Sequence, residues 1–235
     1  MNKQKILTEL EKKININFTD KTLLHQAFVH RSYLNEHQDE HMNSNEKLEF
    51  LGDSVLSLIT SIYLYKKYPD YKEGIYTDIK AAIVRTESLS EAARALGLGS
   101  YLLLSKGERD NNGEDNTSIL ADCFEALLAA IFLDGGFDKA LNFVNEHLFG
   151  SRLDAIVANK LYEPAKNRLQ EYYQDKYKQL PVYTVVAEDG PQHNKMYKIG
   201  VYYGKKLLAY GNGKSKKEAE ENAAHNALSD ITIEV

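Results

Sequence analysis

The chain is 235 residues long, 43% hydrophobic and 27% charged, a composition that suits a soluble protein of one large or two ordinary domains. It opens on an amphipathic stretch, not an apolar signal segment; its longest apolar run, Ala126 to Leu133, is far too short to span a bilayer, and its one cysteine, Cys123, excludes an intramolecular disulfide and fits a reducing cytoplasm. The net charge of −5 argues by itself against a nucleic-acid partner, yet it hides an asymmetry: residues 1–162 carry 18 Lys and Arg against 24 Asp and Glu, and residues 163–235 carry 11 against 10.

Ile6, Leu7, Leu10 and Ile14 fall on one side of a helix predicted over residues 4–14. Thr19 or Asp20 caps a second helix, with Leu23, Leu24, Ala27 and Phe28 as its buried face and His30-Arg31-Ser32-Tyr33 as its end. Residues 35–45 read as an exposed polar loop; His30, His37 and His41 lack zinc-ligand spacing and read as surface histidines. A long helix follows from 45 to about Tyr68, stopped by Pro69. Asp70 to Gly74 is a turn carrying Glu73, and helices over 75–85 and 87–96 end at Gly97 and Gly99. Ser105 to Asn116 is a polar loop. Thr117 or Ser118 caps a helix over Ile119 to Leu133, Gly135-Gly136 breaks it, and 137–149 and 151–158 are helical. This first part is all-α, with its core built by the helices at 45–68 and 119–133.

Near residues 160–164 the pattern changes. Pro164 starts a helix, where its missing N–H costs little. Val182 to Ala187, Met196 to Tyr203 and Leu207 to Tyr210 alternate as strands, with turns at Gly190-Pro191 and Gly204-Lys205. Lys216 to Leu228 is a final helix. The order α-β-β-β-α describes a small α+β domain. The fold class is therefore multi-domain: an all-α domain over 4–135, closing helices and a linker over 136–162, and the α+β domain over 163–232.

The stretch Asn45 to Leu56, N-E-K-L-E-F-L-G-D-S-V-L, sets Glu46, Glu49 and Asp53 at spacings of three and four, which stack side chains on one helix face. Leu48, Phe50, Leu51, Val55 and Leu56 are interleaved with them. Like charges so spaced repel, and buried carboxylates are costly without compensation. Asp122 and Glu125 repeat the arrangement in the second core helix. Two apolar helices with inward acids can pool their oxygens, and an all-carboxylate set suits Mg²⁺ or Mn²⁺, ions that serve phosphodiester hydrolysis. Each acid pair alone is also what an ordinary solvated helix face displays.

N-E-K-L-E-F-L-G-D-S-V-L resembles the signature of the ribonuclease III family, and I-L-A-D-C-F-E-A-L-L-A-A-I-F-L-D-G-G resembles the family's second acidic motif. H-R-S-Y at 30–33, E-G at 73–74 and the trailing α+β domain extend the likeness over nearly the whole chain, in the order of the bacterial enzymes. The resemblance implies an all-α endonuclease domain and a double-stranded-RNA-binding domain. It implies Glu49, Asp122 and Glu125 as metal ligands, Asp53 as the acid working with Glu125 at the nucleophilic water, and Glu46 and Glu73 as auxiliary acids. It further implies a cytoplasmic, Mg²⁺-dependent homodimer (Mn²⁺ substituting) that cuts both strands of duplex RNA. The products carry 5′-phosphate and 3′-hydroxyl ends, and the work is processing of ribosomal RNA precursors and structured messages. No membrane and no small-molecule cofactor is expected. Leu48, Phe50 and Leu51 are left between core and dimer seam, and Gly52, which costs up to ~1 kcal/mol in a helix interior relative to Ala, suggests a close helix approach. Lys47 and Lys80 stand where the family often has Arg, and the 111–116 loop is acidic where the family often carries glycine and arginine.

In the second domain, Lys214, Lys216 and Lys217 precede or open the last helix, a phosphate-seeking arrangement that a solvated lysine run also matches. The domain resembles those that read the shape of A-form RNA across two minor grooves. On that likeness Gln170 and Glu171 on the first helix and His193 in the Gly190-Pro191-Gln192-His193 loop complete the RNA contacts. The alternative is a non-catalytic, dimeric duplex-RNA-binding protein; retention of all six acids speaks against such decay. Cys123 reads as a small buried residue.

Overall fold

The computed structural model describes residues 3–40, 42–191 and 195–232. The chain forms two compact units, 1–158 and 159–235. The first is helical: α1 (Lys3–Lys13), α2 (Lys21–Gln26), α3 (Arg31–Glu36), α4 (Glu46–Lys67), α5 (Glu73–Ile83), α6 (Thr86–Leu96), α7 (Lys106–Asp110), α8 (Thr117–Val144) and α9 (Gly150–Ala158). The 22-residue α4 and the 28-residue α8 are its long members, and they pack against each other. Leu48, Val55, Leu56, Ile59 and Leu64 of α4 are buried. By length and composition α4 could cross a membrane; here it is a core helix of the unit.

Local chemistry moves several boundaries from their sequence-derived places. The helix predicted to run into His30 stops at Gln26, because the backbone is taken by another segment: Val29 bridges Leu103 in parallel, Leu103 N donates to Phe28 O (2.8 Å) and His30 N to Leu103 O (3.1 Å). His30 then begins a new helix, its Nδ1 accepting from Ser32 N at 3.3 Å. The cap of α8 is Asn116, not Thr117 or Ser118; its Oδ1 accepts from Ser118 N (2.9 Å) and Ile119 N (3.2 Å). Glu73 belongs to the first turn of α5, not to the preceding turn, and the 105–116 stretch folds into α7 and a 3₁₀ turn at Gly113–Asp115. The break expected at Gly135-Gly136 is a kink at Gly136 (φ 79°, ψ −177°), beyond which α8 resumes and ends in a π-helical turn, Asn145–Phe149. Just before the kink, the Asp134 carboxylate accepts from Thr19 N (2.9 Å) and Asp20 N (2.7 Å), tying down the start of α2.

The second unit runs α10 (Ala165–Tyr177), β1 (Val182–Asp189), β2 (Met196–Tyr203), β3 (Lys206–Gly213) and α11 (Lys216–Thr232). The strands form an antiparallel sheet in the order β1-β2-β3. Leu169 and Tyr173 of α10, Val201 of β2, and Ala223, Ala224 and Ala227 of α11 make its core. The third strand, expected to end at Tyr210, extends through Gly211-Asn212-Gly213. The reason for its glycines is packing: a Cβ on Gly211 would lie 2.7 Å from the Cα of Ala223, so α11 rests directly on the strand backbone.

Candidate active site

From Ile119 to Ile131 every residue of α8 is buried except Asp122 and Glu125, which keep partial access to solvent. Facing them, α4 carries half-buried Glu49 and exposed Glu46 and Asp53. The approach that joins the two sets is made at Gly52, where a Cβ would stand 3.0 Å from the Cα of Glu125 and 2.5 Å from its carbonyl carbon. Glycine there lets the two backbones touch, as the cost of a mid-helix glycine suggested.

The acids feel one another. Burial, and then the charges of Asp53, Glu49 and Asp122, push the Glu125 carboxyl up to about 8. Burial raises Glu49, helped by Asp122 and Glu46 and opposed by Arg31. Burial also raises Asp122, against the pull of His30 and Arg31. Carboxylates from residues 46–53 and 122–125 thus share one field. Of these, Glu46, Glu49 and Asp122 open on a cleft of about 570 Å³ that His30, Arg31 and Glu108 also line, whereas Asp53 and Glu125 are not among its lining residues.

Other candidates fall elsewhere. Glu73 is exposed at the start of α5 with its Oε1 accepting from Thr77 Oγ1 at 3.1 Å, and none of the residues lining the cleft comes from α5. Cys123 is fully buried between the two acids, its thiol pushed up by burial and by Asp122, and it acts as core. His37 stacks on Tyr33 at 3.8 Å. Sequence reasoning assigned no role to Arg31 or Glu108, although H-R-S-Y was part of the recognised pattern. Arg31 lies 3.7 Å from Glu46, and its charge opposes the rise of Glu49 and, after His30, that of Asp122.

Among the described residues, no three His, Cys, Asp or Glu side chains close on a single point as a ready metal cage. The donor chemistry nevertheless fits a hard divalent cation. The donors are carboxylate oxygens, and their burial and mutual repulsion raise Glu125, Glu49 and Asp122. A cation among them relieves both penalties.

In the second unit Lys214, Lys216 and Lys217 are exposed where β3 meets α11. On α10, Gln170 is half-buried and exposed Glu171 is ion-paired with Lys160 at 3.1 Å. His193 lies outside the described residues.

Acids pooled between two core helices, with an α-β-β-β-α unit carrying lysines at its last helix, define a class: a hydrolytic nuclease joined to a duplex-RNA-binding domain. Residues 20–152 match the ribonuclease-III-like family and residues 165–231 the double-stranded RNA binding motif. The chain is 47% identical over 228 residues to Ribonuclease 3 of Caldanaerobacter subterraneus subsp. tengcongensis, covering 97% of this chain and 99% of that one. It is 43% identical over 222 residues to Ribonuclease 3 of Oceanobacillus iheyensis, covering 94% and 96%. The nuclease domain of ribonuclease III from Campylobacter jejuni, a structure concerned with flexibility in a region involved in dimer formation, superimposes with a TM-score of 0.55 at 36% identity, over 60% of this chain and 94% of that one. The chain belongs to the ribonuclease III family, the double-strand-specific endoribonucleases.

Proposed function

We propose that the acids between α4 and α8 bind Mg²⁺, with Mn²⁺ able to replace it, and hydrolyse phosphodiesters in both strands of a duplex RNA held by residues 163–232. The observation that carries this reading is the pairing of Asp122 and Glu125, the two residues of a buried segment that reach solvent, with Glu49 and Asp53 across the Gly52 contact. Glu49, Asp122 and Glu125 hold the ion. When bound, it stabilises charge developing on the phosphate and lowers the pKa of a water molecule. Asp53, exposed beside Glu125, takes up the proton of the attacking water. Arg31 restrains Glu46 and offsets the negative field at the cleft mouth. Glu73 is an auxiliary acid. The products carry 5′-phosphate and 3′-hydroxyl ends, and the substrates are ribosomal RNA precursors and structured messages in the cytoplasm.

Two strands need two sites, and the chain is proposed to act as a homodimer. Leu48 is 4% exposed and belongs to the core, whereas Phe50 is 79%, Leu58 53% and Tyr65 73% exposed. At 100° per residue the last three fall within an arc of about 80°. An apolar stripe of that kind on a core helix suits a self-complementary two-fold contact. In the second unit, Lys214, Lys216 and Lys217 take phosphates, and Gln170, Glu171 and His193 complete the contacts with the duplex.

The test is incubation of the purified chain with a long duplex RNA and Mg²⁺. Cleavage of the duplex but not of single strands, halted by a chelator, is expected. Binding without cleavage in Mg²⁺ and in Mn²⁺ would establish the non-catalytic alternative.

A further inference from the structure

Lys195 and Lys216 come from separate segments of the second unit, the residue before β2 and the first residue of α11. Both ammonium groups nevertheless lie over one ring, that of Tyr197, at 5.5 and 5.6 Å from its centroid. Glu188 stands opposite Tyr197 in the pairing of β1 with β2. Its carboxylate is shared: Oε2 is ion-paired with Lys195 Nζ, and Oε1 lies 3.6 Å from Lys216 Nζ. The hydrogen bond from Lys195 holds the Glu188 carboxyl below its usual range, so the group is anionic at neutral pH. Lys216 belongs to the 214–217 basic cluster, and Lys195 borders the 190–193 loop. The duplex-RNA reading expects contact at both segments, and one carboxylate links Lys195 to Lys216.

Carboxylate and phosphate oxygens satisfy an ammonium group in the same way. Both lysines are therefore occupied by an internal anion in the free protein. The hold is weak enough to exchange, because water screens ion pairs at the surface and competes for both partners. It is not neutral towards RNA, since a carboxylate left beside the bound phosphate repels it and cancels part of the charge that attracts the polyanion. Tyr197 keeps both ammonium groups close to its ring while the anion exchanges.

We propose that Glu188 is an intramolecular competitor for RNA phosphate, occupying Lys195 and Lys216 until a duplex displaces it and so limiting the affinity of the second unit and its salt dependence. This inference rests on the duplex-RNA-binding reading given above. It assigns Glu188 a regulatory weight in binding, not a contact with the duplex.

The experiment measures binding of the full chain to a short duplex RNA by fluorescence anisotropy, in chelator so that no cleavage occurs, between 50 and 200 mM salt. Glu188→Gln keeps the shape of the side chain and removes its charge. It is expected to tighten binding about three- to ten-fold at the low-salt end and to steepen the log K against log salt line by about one, the increment of one further phosphate contact. Adding Lys195→Gln and Lys216→Gln to Glu188→Gln should erase both gains. Unchanged or weaker binding by Glu188→Gln overturns the proposal, and so does a gain that persists without the two lysines. Melting curves confirm that each variant is folded. If the wild-type chain does not bind duplex RNA, or binds with no loss in the Lys214→Gln/Lys217→Gln double variant, the duplex-RNA reading itself fails and takes this inference with it. Wild-type binding that weakens in that double variant, together with an inert Glu188→Gln, overturns the competitor alone.

Discussion

Gly52→Ala adds one methyl group at the point where α4 meets α8. The new Cβ would stand 2.5 Å from the carbonyl carbon of Glu125 and 3.0 Å from its Cα, and nearer still to its carbonyl oxygen. Carbon atoms rest at about 3.5–4.0 Å, so the helices must part by roughly 1 Å. No side-chain rotation can relieve the clash, because the obstructing atoms are backbone. Overpacking of this kind costs about 1–3 kcal/mol, and the better helix propensity of alanine returns up to ~1 kcal/mol. A net loss of ~1–2 kcal/mol, read as a fall of about 2–8 °C in melting temperature, is expected. Cleavage should suffer more, since the clash falls on the residue that carries one of the acids, and a displacement of 1 Å at a reacting centre can cost ~10²-fold in rate. Thermal melting in chelator and single-turnover cleavage with saturating duplex RNA in Mg²⁺ measure the two effects. Anisotropy should show RNA binding retained. A variant that melts at or above the wild-type temperature and cuts at the wild-type rate would refute the view that this approach sets the site.

Further outcomes follow from the same geometry. Glu125→Gln should lower cleavage by at least ~10²-fold while leaving duplex binding in chelator unchanged. In metal-free protein Glu125 is raised to about 8 from an ordinary 4.5; the unfolded chain gives up its proton first, so this group's contribution to stability is greatest below pH 4.5 and is lost as pH rises towards 8. The slope is at most about 1.4 kcal/mol per pH unit, and less because the group is only partly buried. Melting temperatures in chelator should therefore fall across that window, Glu125→Gln should flatten the fall, and added Mg²⁺ should raise the melting temperature more at pH 8 than at pH 5. Asn116→Ala removes the acceptor for Ser118 N and Ile119 N and should cost about 1 kcal/mol in a denaturant titration. Phe50→Glu, placed on the exposed stripe of α4, should shift the mass seen by sedimentation from dimer towards monomer; an unchanged dimer would exclude that face as the interface.

Much of the site was legible because helical spacing is local. Glu46, Glu49 and Asp53 at three and four, and Asp122 and Glu125 at three, share faces in any helix that holds them, and the surrounding leucines and alanines mark those helices as core. The α-β-β-β-α order was legible for the same reason. What misled was punctuation whose cause lies far away in sequence. His30 opens a helix instead of closing one because Leu103 occupies the adjoining backbone. The third strand was expected to end at Tyr210, yet Gly211 and Gly213 lie in β3, where α11 needs the space a side chain would fill. Asn116 outcompetes Thr117 and Ser118 as cap because its Oδ1 reaches the amides of Ser118 and Ile119.

The amino-acid sequence by itself determined the helical and α+β units, the acids each core helix carries and the hard-cation chemistry they suit, since periodicity and residue type act over a few neighbours. Only the tertiary structure decided that Leu48 turns inward while Phe50 remains in solvent, and that Glu73 lies off the cleft while Arg31 and Glu108 line it. It alone brought Glu125 against the Gly52 backbone and under the charge of Asp53 and Glu49. Those outcomes depend on distances between groups some seventy residues apart along the chain. Burial and Coulomb fields follow such distances in space, and no local pattern encodes them.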